Sequence, residues 1–293
     1  VRPFPISVQS WADKGGRTVE EVDLQIAKLK AQHHLDGLQL AVGVDRIDYT
    51  KGLPERFRAI GHFLEKNPRH RGRFSFVQLG APSRTHIPRY RELVTQLEGL
   101  ADEINWKYQQ DGWKPIHFLI AHHDSDTVHA FLRMSEICVV SSLHDGMNLV
   151  AKEFVAAQEG GNGTLVLSEF AGAAHELTSA LIVNPYNEVE FAEAIRRAVE
   201  MPLEERRRRM SQMRKIVEER NVYRWAGDFI SVLSQVNGPA REEESELPRA
   251  QPAGGVVTTG ASSRRWCGTF PRSDNRFRNL GILAPSPKAK CKG

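Results

Sequence analysis

Short apolar runs rich in β-branched residues recur along the chain, and most of the stretches between them have apolar residues at helical spacing. Several of these runs are continuously apolar instead of alternating with polar residues, which is typical of parallel strands covered by helices on both faces. The pattern therefore predicts an α/β fold built on one doubly wound parallel sheet. The predicted strands are Leu38–Val44, Phe74–Leu79, Ile116–Ile120, Ile137–Val140, Thr164–Leu167 and Leu181–Val183.

Helices are predicted between and after these strands from the helical spacing of apolar residues. Pro54 and Pro88 support two of the helix starts, because proline suits the first turn of a helix. The last helix has Tyr223, Trp225 and Phe229 at helical spacing, so we expect it to be packed against the domain. The predicted helices are Leu53–Glu65, Pro88–Gln109, Ser125–Met134, Leu149–Gln158, Glu188–Val199, Leu203–Glu219 and Val222–Val236.

Changes in composition divide the chain into three parts. Residues 1–12 are predicted to be an extended interdomain connector, since Pro3 and Pro5 disfavour helix in the residues before them. Residues 13–236 contain all the predicted strands and helices and are expected to form one domain. Residues 237–293 begin with an acidic run and continue as a Gly, Pro, Ser, Thr and Arg mixture without periodicity. We therefore expect a chain that begins within a longer protein and ends in a disordered basic tail.

The charge of the chain is unevenly distributed. The 293 residues have a formal net charge of +4, but the segment from Ala250 onward holds eight Lys or Arg against one acid, so the domain is close to neutral. In this tail the basic residues are interleaved with Trp266, Phe270 and Phe277, which is compatible with binding to RNA or an acidic membrane. Because these residues form neither a patch nor a helical pattern, a solvated extension is favoured, and no nucleic-acid or membrane partner is expected.

Two further features limit the class of protein. The sequence contains no secretory signal and no run of about 18 apolar residues, so we expect a cytoplasmic protein. Cys138, Cys267 and Cys291 lie far apart, and none belongs to a Cys-x-x-Cys or Cys/His cluster with metal-ligand spacing. Disulfide bonds and a structural zinc site are therefore not expected.

The densest group of candidate functional residues follows the strand Ile137–Val140 and opens a helix. A helix start offers free backbone N–H groups and the positive end of the helix dipole, which favour a bound phosphate, and Gly146 allows close backbone approach. Asp145 can accept hydrogen bonds from sugar hydroxyls, and Glu153 can bind a ribose diol. Each carboxylate also has a purely structural interpretation, Asp145 as a helix cap and Glu153 as a solvated surface residue.

A second group places two cations in the loop after the first predicted strand. Arg46 can bind phosphate oxygens bidentately and Lys51 adds a mobile positive charge, so together they can stabilise a departing diphosphate. The structural alternative is ion pairing of these cations with Asp45, Asp48 or Glu55, which is common on protein surfaces.

Four segments carry further motifs in a fixed order, namely Gly43–Arg56, Gly80–Tyr90, Asp145–Glu153 and Phe170–Leu177. Taken together, they resemble the trehalose-6-phosphate synthases, which are UDP-glucose-dependent enzymes of glycosyltransferase family 20. The similarity covers about Val1–Val236 in unbroken register, and several long motifs in order are more specific than any single Gly-rich loop. It implies a GT-B architecture, in which two Rossmann-like domains face each other across a cleft, and residues 13–236 are similar to the domain that binds the nucleotide sugar.

The resemblance also implies roles for individual residues. Arg46 and Lys51 match the basic pair that binds the donor diphosphate and stabilises its charge as it leaves. Glu153 matches the acid that binds the ribose, and Arg84 matches the arginine that reaches the 6-phosphate of the acceptor. His123 lies where the family contacts uracil, largely through backbone, and an exposed loop histidine is an equal alternative there. The glucose-binding loop and the helix-start amides near the phosphates correspond to Asp145, Gly146, Met147, Asn148, Leu149 and Val150.

The implied reaction transfers glucose from UDP-glucose to glucose 6-phosphate with retention, giving trehalose 6-phosphate and UDP. No side-chain nucleophile is required, so the protein acts by positioning and charge stabilisation. No metal or other cofactor is expected, because Arg46 and Lys51 stand where a metal cation would help.

The resemblance implies that the domain that supplies most acceptor contacts in the family is missing from this sequence. We therefore expect the isolated chain to bind UDP-glucose weakly without turnover. Arg84 favours a phosphorylated acceptor without choosing one, so a glucosylglycerol-phosphate synthase or a related transferase stays open, as does a non-catalytic nucleotide-sugar-binding module. A natural truncation, a recording error and a homo-oligomer formed through the full-length protein also stay open.

Overall fold

The computed structural model describes residues 3–9, called here the N-terminal segment, and residues 18–235. The described residues contain one six-stranded sheet with the order β3-β2-β1-β4-β5-β6, in which every neighbouring pair is parallel. The predicted fold class, a single doubly wound α/β domain, is confirmed. The strands are β1 Gln39–Arg46, β2 Phe74–Ala81, β3 Ile116–Ile120, β4 Ile137–Val140, β5 Thr164–Ser168 and β6 Leu181–Val183.

All six predicted strands are present, and the main difference is that β1 and β2 extend beyond their apolar runs. The pairing of β1 with β2 continues through Asp45↔Gly80 and Arg46↔Ala81, because backbone hydrogen bonding does not require apolar side chains. Arg46 is therefore the last residue of β1. This places its side chain at the carboxyl edge of the sheet, where ligands bind in open α/β folds.

The predicted helices are present with boundaries shifted by at most one residue within the described range, and one further helix, α1, was not predicted. In α1 only Val22 and Leu29 are buried, so the apolar pattern is weak. Its start does carry a capping box, in which Thr18 and Glu21 exchange side-chain and backbone hydrogen bonds. The helices are α1 Val19–His33, α2 Leu53–Lys66, α3 Pro88–Tyr108, α4 Ser125–Met134, α5 Leu149–Ala157, α6 Glu188–Glu200, α7 Leu203–Glu219 and α8 Val222–Gln235.

Each face of the sheet has its own hydrophobic core. Helices α2, α3 and α6 cover one face, where Phe57, Leu97 and Ile195 are fully buried. Helices α1, α4, α5 and α7 cover the other face, around Phe131 and Phe154. With both faces covered, only the edges of the sheet and the loops at the strand ends are available for a polar site.

Helix α8 departs from the expected packing. Its apolar side chains Tyr223, Ile230 and Leu233 are exposed, although they lie at helical spacing. The helix contacts the N-terminal segment, where the Trp225 indole donates a hydrogen bond to the Phe4 carbonyl (3.0 Å). The amphipathic pattern correctly predicted a helix, but the described residues do not cover its apolar face.

The predicted domain boundaries are only partly accessible to the structure. Of the predicted connector, residues 3–9 are described and form neither helix nor strand. Residues 1–2, residues 10–12, Val236 and the predicted disordered basic tail, 237–293, lie outside the described residues. The three-part division therefore stays a prediction.

Candidate functional site

The loop after β1 presents the two predicted cations at the carboxyl edge of the sheet. Arg46 is exposed at the end of β1, and Lys51 lies in the short helical turn Tyr49–Lys51. Asp48 caps this turn by accepting a hydrogen bond from the Thr50 backbone (3.0 Å). Burial alone would raise the pKa of Asp48, but the hydrogen bonds from Thr50 outweigh it and hold the pKa below its ordinary value. The loop therefore has a fixed shape and a negative charge close to Arg46.

Gly52 ends this loop, and its position admits only glycine. Its φ is +62°, and a Cβ there would lie 2.1 Å from the Ser141 carbonyl oxygen. The close approach brings the loop after β1 against the residues that follow β4. Because a Cβ at this position would collide with backbone, any larger residue must displace the loop.

A buried arginine supports the same loop from below. Arg56 is fully buried and donates to Asp45 (2.7 Å), Gln78 (2.7 Å) and the Ser141 hydroxyl (2.9 Å). The Ser141 hydroxyl in turn donates to the Gly52 carbonyl (2.7 Å). Sequence reasoning singled out Arg56 only as the end of a motif. The available signal was a charged residue on the apolar face of α2.

Lys51 and Asp145 join the two predicted groups of residues directly. Lys51 Nζ lies 2.6 Å from Asp145 Oδ2, so the ion pair that Lys51 makes is with Asp145 and not with Asp45, Asp48 or Glu55. Burial would raise the pKa of Asp145, but Lys51 and the Asn148 amide, which also donates to Oδ2 (3.1 Å), hold that pKa below its ordinary value. Asp145 is therefore ionised at neutral pH.

The helix cap of α5 is Asn148 and not Asp145. Asn148 has a left-handed backbone, with φ +71°, and its side-chain oxygen accepts a hydrogen bond from the Ala151 backbone (3.1 Å). The structural interpretation of Asp145 as the cap is thus wrong. Leu149 and Val150 form the first turn of α5, where backbone N–H groups have no partner within the helix.

The segment after β5 fixes the loop 145–148. Asp145 accepts through its carbonyl a hydrogen bond from Gly172 (3.0 Å), and Met147 accepts one from Ala173 (2.8 Å). A Cβ at Gly172 would lie 2.0 Å from the Gly146 carbonyl oxygen. Residues 170–173 thus act as a template that holds the loop in place. The sequence alone marked these residues only as part of a motif and did not reveal these contacts.

A cavity of about 380 Å³ opens between α4, α5 and the N-terminal segment. Glu153 and His123 both line it, together with Gln9 and Val44. His123 is half-buried, and its buried Nε2 has no hydrogen-bond partner among the residues that the structure describes. The cavity therefore brings a carboxylate and an imidazole together in a space of the size that small ligands occupy.

Arg84 lies outside this cavity and connects through a tyrosine to residues 46–52, called here the basic loop. It is exposed, has a φ of +48°, and donates to the Tyr90 hydroxyl (2.6 Å). Tyr90 in turn donates to Asp48 (3.4 Å). Arg84 is thus held on the side of the Tyr49–Lys51 turn, where it remains accessible to an anion.

The described part of the chain also limits other kinds of site. In residues 3–9 and 18–235, no helix is both long and apolar enough to cross a membrane. Within the same ranges no three His, Cys, Asp or Glu side chains are grouped so as to hold a metal ion. Cys138 is a buried free thiol, and burial raises its pKa.

Sequence comparison places this geometry among known proteins. The model of glycosyltransferase family 20 matches residues 1–235. A trehalose-6-phosphate synthase of Salmonella paratyphi B is 45% identical over 226 residues, which cover 76% of this chain and 47% of the relative. One of Cronobacter sakazakii is 46% identical over 226 residues, with the same coverage of 76% and 47%. The chain spans about half the length of the curated relatives it matches.

Solved structures give the same result. An E. coli structure described as bound with UDP-2-fluoro glucose is 46% identical and has a TM-score of 0.70, over 73% of this chain and 47% of that one. A UDP-forming α,α-trehalose-phosphate synthase of Burkholderia xenovorans in complex with glucose-6-phosphate is 39% identical, with a TM-score of 0.72 over 78% and 50%. The resemblance stated from the motifs is confirmed.

Proposed function

The chain belongs to glycosyltransferase family 20, and we propose that it is the donor-binding half of a retaining hexosyltransferase of trehalose biosynthesis. The reaction transfers glucose from UDP-glucose to glucose 6-phosphate and releases UDP. The observation that carries the proposal is the 2.6 Å pairing of Lys51 with Asp145, which joins the basic loop to the loop that opens α5. A nucleoside diphosphate sugar needs such neighbouring cationic and hydroxyl-binding groups.

The diphosphate is assigned to Arg46, Lys51 and the first turn of α5. Arg46 is exposed at the strand end, and Lys51 keeps further N–H donors besides the one directed at Asp145. The backbone amides of Leu149 and Val150 add the positive end of the helix dipole. These groups stabilise the charge that grows on the diphosphate as its bond to the glucose C1 breaks.

The sugar is assigned to the N-terminal end of α5 and the nucleoside to the cavity beside its second turn. Asp145, with the backbone of Gly146, Met147 and Asn148, lies at the helix start and accepts from glucose hydroxyls. Glu153, in the second turn, lines the cavity and accepts from the ribose diol. His123 lines the same cavity, where the uracil ring binds.

Retention follows if the acceptor attacks C1 on the face that the diphosphate leaves. The new bond joins the acceptor hydroxyl oxygen to C1, the bond from C1 to the phosphate oxygen breaks, and the leaving phosphate takes the acceptor proton. No side-chain nucleophile takes part, and no metal is required because Arg46 and Lys51 supply positive charge. Arg84 binds the phosphate of the acceptor, and the relative solved with glucose-6-phosphate supports this acceptor over glycerol 3-phosphate.

Calorimetric titration of the chain with UDP-glucose tests the proposal. Arg46→Ala and Glu153→Ala are each expected to weaken binding by at least about tenfold, because each removes a charge-assisted contact. Arg208→Ala and Glu204→Ala, two exposed positions on α7, serve as matched controls and should bind like the unaltered chain. Binding that is equal in all four variants would contradict the proposed site.

A parallel assay tests turnover. With UDP-glucose and glucose 6-phosphate present, the isolated chain should release no UDP above the rate of a reaction without protein. Release of UDP that depends on glucose 6-phosphate would mean that this chain alone assembles the acceptor site.

A further inference from the structure

Lys152 is a buried cation that the proposed donor site does not use. Its side chain is 1% exposed, and Nζ donates to Glu176 Oε1 (2.9 Å) and to the Ile6 carbonyl (2.9 Å). A buried charge is tolerated only when it is paired and hydrogen-bonded, and such pairs are weak evidence for added stability. The contact with Ile6 therefore points to a role in holding the N-terminal segment.

The N-terminal segment is held at alternate carbonyls along its length. Besides the bond from Lys152 to Ile6, Trp225 donates to the Phe4 carbonyl (3.0 Å) and the Val222 backbone donates to the Val8 carbonyl (3.3 Å). Val8 is buried and belongs to the same hydrophobic core as Phe154 and Val155 of α5. The segment therefore lies between α5 and α8 in a defined position.

The segment ends at the cavity that contains Glu153. Gln9 lines this cavity, and its side-chain amide lies 2.6 Å from the Tyr223 hydroxyl. Lys152 and Glu153 are consecutive on α5, so their side chains point about 100° apart, one toward the segment and one toward the cavity. One turn of α5 thus contacts both the segment and the cavity.

Glu176 extends the connection to residues 145–148, called here the sugar loop. It directly follows the short helical turn Gly172–His175, in which Gly172 donates to the Asp145 carbonyl (3.0 Å). It also lies 3.6 Å from Arg220, next to the start of α8. The Lys152–Glu176 pair therefore links the template of the sugar loop, α5 and the N-terminal segment.

We propose that Gln9 contacts the bound nucleoside and that Lys152 and Glu176 are positioning residues that hold Gln9 at the cavity. This inference rests on the proposed function, since it takes the cavity as the nucleoside site. The Gln9 amide offers both N–H donors and a carbonyl acceptor, which suit ribose hydroxyls or uracil carbonyls. The buried pair acts on the ligand only through the N-terminal segment.

A double-mutant cycle measured with UDP by calorimetry tests this inference. Lys152→Met alone leaves the buried Glu176 without its nearest partner and can prevent folding, so the test variant is Lys152→Met/Glu176→Met, which removes both charges. Gln9→Ala is expected to weaken UDP binding about fivefold, the size of one hydrogen bond. The double variant should weaken binding to a similar degree, and adding Gln9→Ala to it should have no further effect.

The control pair is Lys215→Met/Glu219→Met, which removes an exposed pair on α7 whose charges lie 3.9 Å apart. It should bind UDP like the unaltered chain. Hydrogen exchange gives a second readout, because the Val222 backbone N–H, which donates to the Val8 carbonyl, should exchange faster in the Lys152→Met/Glu176→Met variant than in this control.

The outcomes separate the two proposals. If the unaltered chain binds UDP and Glu153→Ala weakens it, but the folded Lys152→Met/Glu176→Met variant binds normally, the positioning role is wrong and the donor site stands. The positioning role would also be wrong if Gln9→Ala weakened UDP binding by the same factor in the Lys152→Met/Glu176→Met variant as in the unaltered chain. Failure of the unaltered folded chain to bind UDP would remove both proposals.

Discussion

Lys51 and Asp145 lie 94 positions apart in the sequence, and their side chains meet at 2.6 Å. One belongs to the loop after β1 and the other to the loop after β4, and these two strands are neighbours in the sheet. The pair therefore ties together the two loops that the motifs single out. Its electrostatics can be tested directly.

Lys51→Ala is expected to raise the pKa of Asp145. Burial favours the neutral carboxyl, and Lys51 opposes it more than the Asn148 side chain or the Met147 backbone does, so removal of the lysine takes away the largest contribution that lowers the pKa. Because the folded pKa is lowered, the stabilising contribution of ionised Asp145 is present above the unfolded pKa of about 3.9 and is lost as pH falls through the folded pKa. Titration of the Asp145 carboxyl carbon by NMR in both proteins measures the shift, and an unchanged pKa would contradict it.

His117→Gln should make the protein less sensitive to mild acid. His117 lies on β3, and burial lowers its pKa from 6.5 to about 4. The unfolded chain therefore binds a proton that the folded state does not, and stability falls as pH drops from 6.5 toward 4, by up to about 3 kcal/mol. Urea unfolding at several pH values should show this loss in the unaltered chain and a smaller loss in the variant. If the free energy of unfolding depended on pH equally in both proteins, the role of His117 would be wrong.

Arg56→Met is expected to destabilise the fold and weaken donor binding together. The change leaves Asp45 buried without its partner, which costs about 3–5 kcal/mol. It also removes the support of Ser141 beneath the basic loop. Urea unfolding and UDP titration measure the two effects. Arg58→Met, at a half-exposed neighbour on α2 that pairs with Glu188 at 3.5 Å, is the control and should cost at most about 1 kcal/mol.

Gly172→Ala should disturb the sugar loop, since the new Cβ would lie 2.0 Å from the Gly146 carbonyl oxygen. We expect the free energy of unfolding to fall by about 1–3 kcal/mol. The substitution should also weaken the binding of UDP-glucose more than it weakens the binding of UDP. Gly227→Ala places its Cβ in open space within α8 and should stabilise the fold by about 0.5–1 kcal/mol. Equal effects of the two substitutions would show that the template contact is unimportant.

Removal of divalent metal should leave UDP-glucose binding unchanged. In the proposed site the cations Arg46 and Lys51 face the diphosphate, so no bound metal is needed for charge neutralisation. Calorimetric titration in the presence and absence of EDTA measures this. A large loss of affinity with EDTA that added Mg²⁺ restores would contradict the metal-free site.

The strands and most helices could be predicted because buried parallel strands require continuous apolar runs, as in Ile137–Val140. Helix α1 was missed because only two of its residues are buried, although the capping box of Thr18 and Glu21 was a sequence signal that could have indicated its start. The motifs indicated where the site lies, but not which of its side chains contact each other. Two contacts depend on the tertiary fold, namely that of Lys51 with Asp145, 94 positions away, and that of Lys152 with Ile6, 146 positions away. No local pattern encodes contacts at such separations.

Comparing the affinities of UDP and uridine for the unaltered chain and for Arg46→Ala tests the central claim most directly. The account predicts that UDP binds much more tightly than uridine to the unaltered chain, and that Arg46→Ala reduces this difference by at least about tenfold without changing the affinity for uridine. If Arg46→Ala weakened uridine and UDP equally, or if UDP and uridine bound equally well to the unaltered chain, the diphosphate would not lie at the end of β1 and the proposed donor site would be wrong.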